Sequence, residues 1–448
     1  MNQPNNTPKC PEKQDVATYW AERIRSMLPA DLDETAKSKG ALVRKRGVKS
    51  AYNLLKLLLI YAVSTMSLRI LSLSASSLKV ADISDTALRK RFINSVIWLA
   101  YLLDYILPKP LKPPLQKEKC EMEWAVHLVD ASNVVKDGKS GDLYRIHMSY
   151  SLKEASMGEV KVTDKHTSES FAHFTIQKGH IYIADSGYGK AKMYEYVTKR
   201  GGDVILRCTP NHITLVDSQG QAIDMTQKLD KSKTIVDFSC YALNGQKKLP
   251  VRIVASQLPE DKKADAIKRK KRDASKRQTK QIRPETLIYA EWVIIMTSLG
   301  SPFTAEKILD IYRSRWQVEL LFKRIKQHFK VTKIRPSSLK YGQALVLLWL
   351  IIWALVERQT YLAEIRLFEK GMEMERFSPW VYSSYFFQRL KTMIESLWAT
   401  VLDPMADIDL IAKKLQNHKQ HNRINQHFKY HLNCFLEQNV PDAMNDAA

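Results

Sequence analysis

The hydrophobic period of this chain changes at one short run, "LPKPLKPPLQK" (Leu107–Lys117), and that change limits what the chain can fold into. Proline cannot continue a helix, so the run reads as a linker and a domain boundary. Before it, "KSAYNLLKLLLIYAVSTMSLRILSL" and "TALRKRFINSVIWLAYLLDYIL" place apolar residues at helical spacing, with Ser84 or Asp85 positioned to cap the second. After it the spacing is that of strands. "EWAVHLVDAS" is an apolar strand ending in Asp130, "DLYRIHMSYSL" and "GEVKVTD" alternate, and "HIYIADSGYG" is a strand ending in Asp185. A helix with a glycine stop, "KAKMYEYVTKRGG", then leads to the strand "DVILRC", which predicts an α/β unit with a mixed sheet. Residues 209–287 read as a β-rich insertion without obvious helices. "AEWVIIMTSL" is again a strand, Thr304 is a plausible cap for the helical region that follows, and the chain from Ser337 onward is mostly helical.

Charge narrows the partners. Among 448 residues, 70 Lys and Arg stand against 47 Asp and Glu, a formal +23, which favours a polyanion such as nucleic acid or an anionic membrane surface. The block Lys268–Lys280 holds eight basic residues and one acid, either a solvated face or a track for a phosphate backbone. Helix, short turn and a second helix carrying Arg89, Lys90 and Arg91 have the outline of a helix-turn-helix, and Arg44 and Arg46 in "RKRGVK" add a second basic cluster. Two apolar runs, Leu54–Val63 and Ala344–Val356, are shorter than the roughly 20 residues of a spanning helix and predict buried core helices, with no membrane partner. Five isolated cysteines without a CxxC pair, and an N-terminus without an apolar signal segment, fit a reducing cytoplasm. No phosphate-binding glycine loop appears, so a nucleotide cofactor is not expected. His418, His421, His427, His431 and Cys434 gather near the C-terminus without a clear ligand set for zinc.

Phosphoryl transfer on nucleic acid commonly uses two divalent metals clamped by Asp and Glu oxygens. Asp130 and Asp185 end apolar strands and are followed by small residues, although a strand-end Asp is also an ordinary turn residue and Asp142, Asp164 and Asp203 are rival carboxylates. In "YRSRWQVELLFKRIK", a continuous helix would put Tyr312, Arg315, Glu319 and Lys326 within an arc of about 60°, beside a buried face of Val318, Leu321, Phe322 and Ile325. A kink near Arg313–Arg315 would move Tyr312 and Arg315 but not the Glu319–Lys326 relation. An exposed amphipathic helix with surface salt bridges fits the same pattern.

The spacing Y-x2-R-x3-E-x6-K at Tyr312, Arg315, Glu319 and Lys326 resembles the YREK signature of bacterial insertion-sequence transposases of family number four. "LVDAS" and "IADSGYG" resemble that family's two catalytic Asp segments, with Ser186 where Arg is usual, and "VTDKHTSES" resembles the strand between them. The likeness runs from about residue 20 to 360 and implies an RNase H-like catalytic core. By it, Asp130, Asp185 and Glu319 are ligands of two Mg²⁺ ions (Mn²⁺ substituting), Tyr312, Arg315 and Lys326 grip DNA, and Trp292 lies near a position that traps a flipped base in some relatives. The implied enzyme is a cut-and-paste transposase acting on terminal inverted repeats and target DNA as a synaptic homodimer in the bacterial cytoplasm, at the nucleoid. The expected order is a helical DNA-binding region over 1–118, the catalytic core over 119–208 and 288–360, the insertion over 209–287, and a helical region over 361–448. Alternatives are an inactive DNA-binding protein on the same scaffold and a DDE-type nuclease.

Overall fold

The computed structural model describes residues 24–64, 66–107, 124–135, 142–152, 156–276, 281–329, 338–371 and 379–396. The linker beyond residue 107 and the C-terminal histidines lie outside them. Among the described residues, five whole helices lie before the sheet: α1 (Leu32–Ser38), α2 (Ala51–Val63), α3 (Leu68–Ser77), α4 (Asp85–Asn94) and α5 (Val96–Ile106). Each long apolar stretch of the sequence is thus two helices. Ser67 caps α3 by accepting from the Ile70 N–H, and Ser84 caps α4 by accepting from the Ala87 N–H. Serine oxygens satisfy amide donors that a helix start leaves unpaired, which makes the breaks favourable.

Nine strands form one sheet: β1 (Val126–Val135), β2 (Asp142–Ser151), β3 (Ser156–Asp164), β4 (Ile181–Ala184), β5 (Asp203–Arg207), β6 (Leu215–Val216), β7 (Ile235–Asn244), β8 (Lys247–Gln257) and β9 (Trp292–Thr297). Their order is β3-β2-β1-β4-β5-β9-β8-β7-β6. β1, β4 and β5 run parallel and the remaining pairs are antiparallel. The insertion therefore continues the main sheet, because β8 pairs along β9. It is also less purely β than its sequence pattern predicts. Asp224 caps a helical turn, α7 (Met225–Lys228), the basic block opens within helix α8 (Glu260–Lys276), and α9 (Pro284–Ala290) leads into β9. α8 has no fully buried residue; only a narrow half-buried face that includes Ala266, Ile267 and Ala274 marks it as helix among the charges.

Alternation along the strands divides two cores. Leu128, Ile183, Ile205 and Ile295 face one layer, while Val129, Tyr182, Leu206 and Ile294 face the other. Helix α6 (Ala191–Thr198), ended by Gly201 at φ +76°, covers the second face. The first face takes α10 (Ala305–Arg313), α11 (Trp316–Phe329) and α12 (Leu339–Glu369), joined by α13 (Pro379–Ser396). α12 packs on α2, α4, α5, α13 and β3. Its segment Leu339–Thr360 is long and apolar enough to cross a membrane, yet 72% of its most apolar window is buried inside the protein, as expected of a core helix. The N-terminal helices and the sheet thus share one hydrophobic core through α12.

Candidate active site

The site is built where two parallel strands stop pairing. The β1–β4 register ends at Val129↔Ala184, so Asp130 and Asp185 are the next residues on adjacent strands and stand side by side. The sequence pattern ends the first strand at Asp130, but β1 runs on to Val135 because β2 keeps pairing with it, Asp130 opposite Met148. Asp130 has the parity of Leu128 and so faces the layer containing α11, which packs on β1. Its Oδ1 accepts from the Ala131 N–H at 2.8 Å, and Asp185 Oδ1 accepts from the Gly187 N–H at 2.9 Å. Gly189 is required next: a Cβ there would lie 2.1 Å from the Arg207 carbonyl.

Burial is the main cause that pushes the Asp130 carboxyl up to about 7; the charges of Asp185 and Glu169 push the same way, against its hydrogen bond from Ala131 and the positive Arg315. Glu169 is likewise raised, first by burial and then by Asp185. None of Asp130, Asp185 and Glu169 makes an ion pair among the described residues. The folded, metal-free protein holds the Asp130 proton more tightly than the unfolded chain, whose ordinary carboxyl titrates near 4. Stability attributable to this group is therefore lost as pH rises from about 4 through about 7. We expect Asp130→Asn to raise the melting temperature of metal-free protein at pH 8 and to change it little at pH 5, measured by circular dichroism.

The predicted helix over Tyr312–Lys326 breaks at Ser314, which lies between α10 and α11; its Oγ donates to the Ile311 carbonyl and Arg315 N–H bonds to the Tyr312 carbonyl. Tyr312 is only 8% exposed and its hydroxyl has no partner among the described residues, so it faces the site's interior, not an open DNA surface. Arg315 is also turned inward, with 15% side-chain exposure, and pairs with Glu319, which remains 54% exposed. Burial opposes the Arg315 charge, but Tyr312, Glu319 and Asp130 around it raise its pKa above the ordinary value. Lys326 lies on α11, with its side chain outside the described residues.

Among the described residues, no three His, Cys, Asp or Glu side chains stand close enough as placed to hold a metal, and Glu319 is engaged by Arg315. The donor chemistry nevertheless fits a hard divalent cation: carboxylates without ion pairs crowd at the strand ends, above a buried Tyr188 hydroxyl without a partner.

Beside the Asp185 turn opens a cleft of about 860 Å³ walled by Arg145, Glu169, Lys190, Lys270 and Arg283, a positive channel that joins the sheet to α8 and α9. Trp292 does not serve it. The indole is 1% exposed because strand parity points it, with Ile294 and Met296, into the second core, and the residue borders a separate cleft of about 380 Å³ with Arg207, Lys262 and Arg269. Arg91 is half-buried, donates to the Ala41 and Arg44 carbonyls at 3.3 and 2.8 Å and so ties α4 to the preceding loop. Arg44, Arg46, Arg89 and Lys90 are exposed. Glu169, Tyr188, Arg145 and Lys190 were not singled out by sequence. The adjoining "TSES" and "SGYG" were the available signals, each flanking a segment read for a different residue.

Residues 126–355 match the family model described as "Transposase DDE domain". The chain belongs to the DDE transposases. It is 30% identical over 325 residues to the "Putative transposase InsL for insertion sequence element IS186A" of Escherichia coli K12, covering 70% of this chain and 86% of that protein. It is 29% identical over 326 residues to the "Transposase for insertion sequence element IS421" of Escherichia coli, with the same coverage. As a DDE transposase the protein is an enzyme that acts on DNA and depends on a divalent metal cation, and its large mixed sheet with helices on both faces accords with that family.

Proposed function

We propose that this transposase excises and inserts its own insertion sequence by cut-and-paste transposition, with Asp130, Asp185 and Glu319 as the DDE carboxylates and Mg²⁺ as the metal. The observation that carries this reading is the side-by-side placement of Asp130 and Asp185 where the parallel β1–β4 pairing stops, with the Glu319 helix packed on β1. The partial order β3-β2-β1-β4-β5, antiparallel then parallel, supports an RNase H-like core. The YREK spacing supports membership of family number four.

Bound divalent cations would supply Lewis acidity at the scissile phosphate, activating water and then a 3′-hydroxyl for in-line attack. Asp130 and Asp185 are pre-placed to hold them; Glu319 is not, because Arg315 holds it. A DNA phosphate can take two parallel bonds from the Arg315 guanidinium, where the half-exposed Glu319 carboxylate takes one. Substrate binding therefore draws Arg315 away and frees Glu319 toward the two aspartates. Tyr312, buried beside Arg315, steadies that exchange, and Lys326 holds a neighbouring phosphate. The N-terminal helices, through Arg44, Arg46, Arg89 and Lys90, grip the terminal inverted repeats, and a homodimer pairs the two ends in the cytoplasm.

The cleft beside Asp185 guides the strand to the site. Replacing Lys270 and Arg283 together by Ala is expected to weaken binding of any duplex end and to lower the salt dependence of log Kd by about 2, one per lost phosphate contact. Titration by fluorescence anisotropy at several salt concentrations reads this; an unchanged slope would remove the cleft from the DNA path. The function itself is tested by incubating the protein with a fragment carrying the element's ends. Metal-dependent nicking followed by joining to target DNA is expected. Binding without cleavage would instead favour a DNA-binding protein, and cleavage without joining a nuclease.

A further inference from the structure

We propose that Glu169 is a fourth carboxylate of the metal centre, sharing a divalent cation with Asp185, and that the Tyr188 hydroxyl beneath them holds the pair in register. The inference rests on the proposed reading of Asp130 and Asp185 as metal ligands and extends it to a residue outside the DDE set.

Glu169 lies between β3 and β4 on a loop that is fastened at both ends. On one side Asp164 Oδ1 accepts from the His166 and Thr167 N–H groups at 2.8 and 3.0 Å, and Arg145 donates to the Thr167 carbonyl at 2.9 Å. On the other, Phe171 is fully buried with its ring centroid 5.1 Å from that of Tyr188. The loop so held places Glu169 Oε2 1.7 Å, and Asp185 Oδ1 3.1 Å, from the point that a Cβ on residue 187 would occupy. The two carboxylates face each other across Gly187, and only a glycine leaves them that space. Like charges this close, partly out of water and without an ion pair among the described residues, call for a cation between them.

Tyr188 supplies an independent sign. It is 0% exposed, its hydroxyl has no hydrogen-bond partner in the structure, and it lies in the field of Glu169, Asp130 and Asp185. Buried hydroxyls are nearly always paired, and one that feels the charge of three carboxylates is completed when a cation reorients them or brings its water. Mg²⁺ and Mn²⁺ need few protein donors, since Mg²⁺ is commonly held by one or two carboxylates together with waters and substrate phosphates. The Asp185–Glu169 pair meets that need on the wall of the positive cleft, where a phosphate would arrive.

Mn²⁺ binding to the full chain, followed by loss of the free-ion electron paramagnetic resonance signal, tests this without reference to catalysis. Glu169→Gln is expected to weaken Mn²⁺ binding about tenfold or more, with Glu169→Asp recovering part of it. Gly187→Ala is expected to weaken it too, because the new methyl displaces the flexible Glu169 carboxylate while every ligand is retained. Tyr188→Phe should weaken Mn²⁺ binding yet leave the metal-free melting temperature equal or higher, since it removes an unpaired buried hydroxyl. If Asp185→Asn loses Mn²⁺ while Glu169→Gln and Gly187→Ala bind it as wild type does, Glu169 is no ligand and this inference fails alone. Wild-type affinity in Asp130→Asn and Asp185→Asn would overturn the underlying site assignment as well.

Discussion

Glu319→Ala leaves binding of the element's ends within a few-fold of wild type and lowers strand cleavage by about 10³-fold or more, the scale of losing a group that acts on the transition state alone. The reason lies in where the side chain sits. Glu319 is half exposed on α11 and contributes nothing to the core, so its removal does not disturb the fold. Among the described residues its ion pair is with Arg315, and releasing that guanidinium adds a free cation beside the site. Binding is therefore preserved or strengthened while the third carboxylate is lost. A gel-shift titration and a nicking assay on the same duplex separate the two effects. Unimpaired nicking by the variant would remove Glu319 from the chemistry.

Trp353→Ala destabilises the whole protein by about 3–5 kcal/mol, the cost of truncating a large buried aromatic. Trp353 is 1% exposed at the middle of α12, the helix against which the N-terminal helices, α13 and the edge strand β3 all pack. Because those elements share one core, unfolding of the variant stays a single transition at lower denaturant, read by tryptophan fluorescence and circular dichroism together. Two separated transitions, with only one displaced, would mean that the N-terminal helices fold as an independent unit.

Much of this architecture was legible before the structure. Strand periodicity gave β1 to β5 and β9, the glycines gave the stop of α6, and Ser84 and Thr304 gave caps that the structure realises. Asp130 and Asp185 stood out because each follows an apolar run, although β1 continues past Asp130 to Val135 and the adjacency of the two strands is a matter of topology. What was not legible depends on long-range packing. Nothing local in "EWVIIMTS" says that Trp292 points into the second core; that follows from β9 lying between β5 and β8. Arg91 looks like its neighbours Arg89 and Lys90, and only the approach of the Ala41–Arg44 loop makes it structural. The highly charged α8 has no fully buried residue, and its thin face of Ala266, Ile267 and Ala274 is hidden among charges. The break at Ser314–Arg315 is the kink that the sequence allowed, but that Tyr312 and Arg315 turn inward there follows from packing and not from the local pattern. Glu169 escaped notice because its meaning comes from Gly187, eighteen positions away, and not from its own neighbours.

The most direct measurement is anomalous diffraction from crystals of the protein bound to a duplex end in Mn²⁺. The proposed site predicts a manganese peak touching the carboxylates of Asp130 and Asp185, with Glu319 turned away from Arg315 toward the metal and Arg315 on a phosphate. Bound DNA with no manganese at these strand ends, and Glu319 still paired to Arg315, would contradict it.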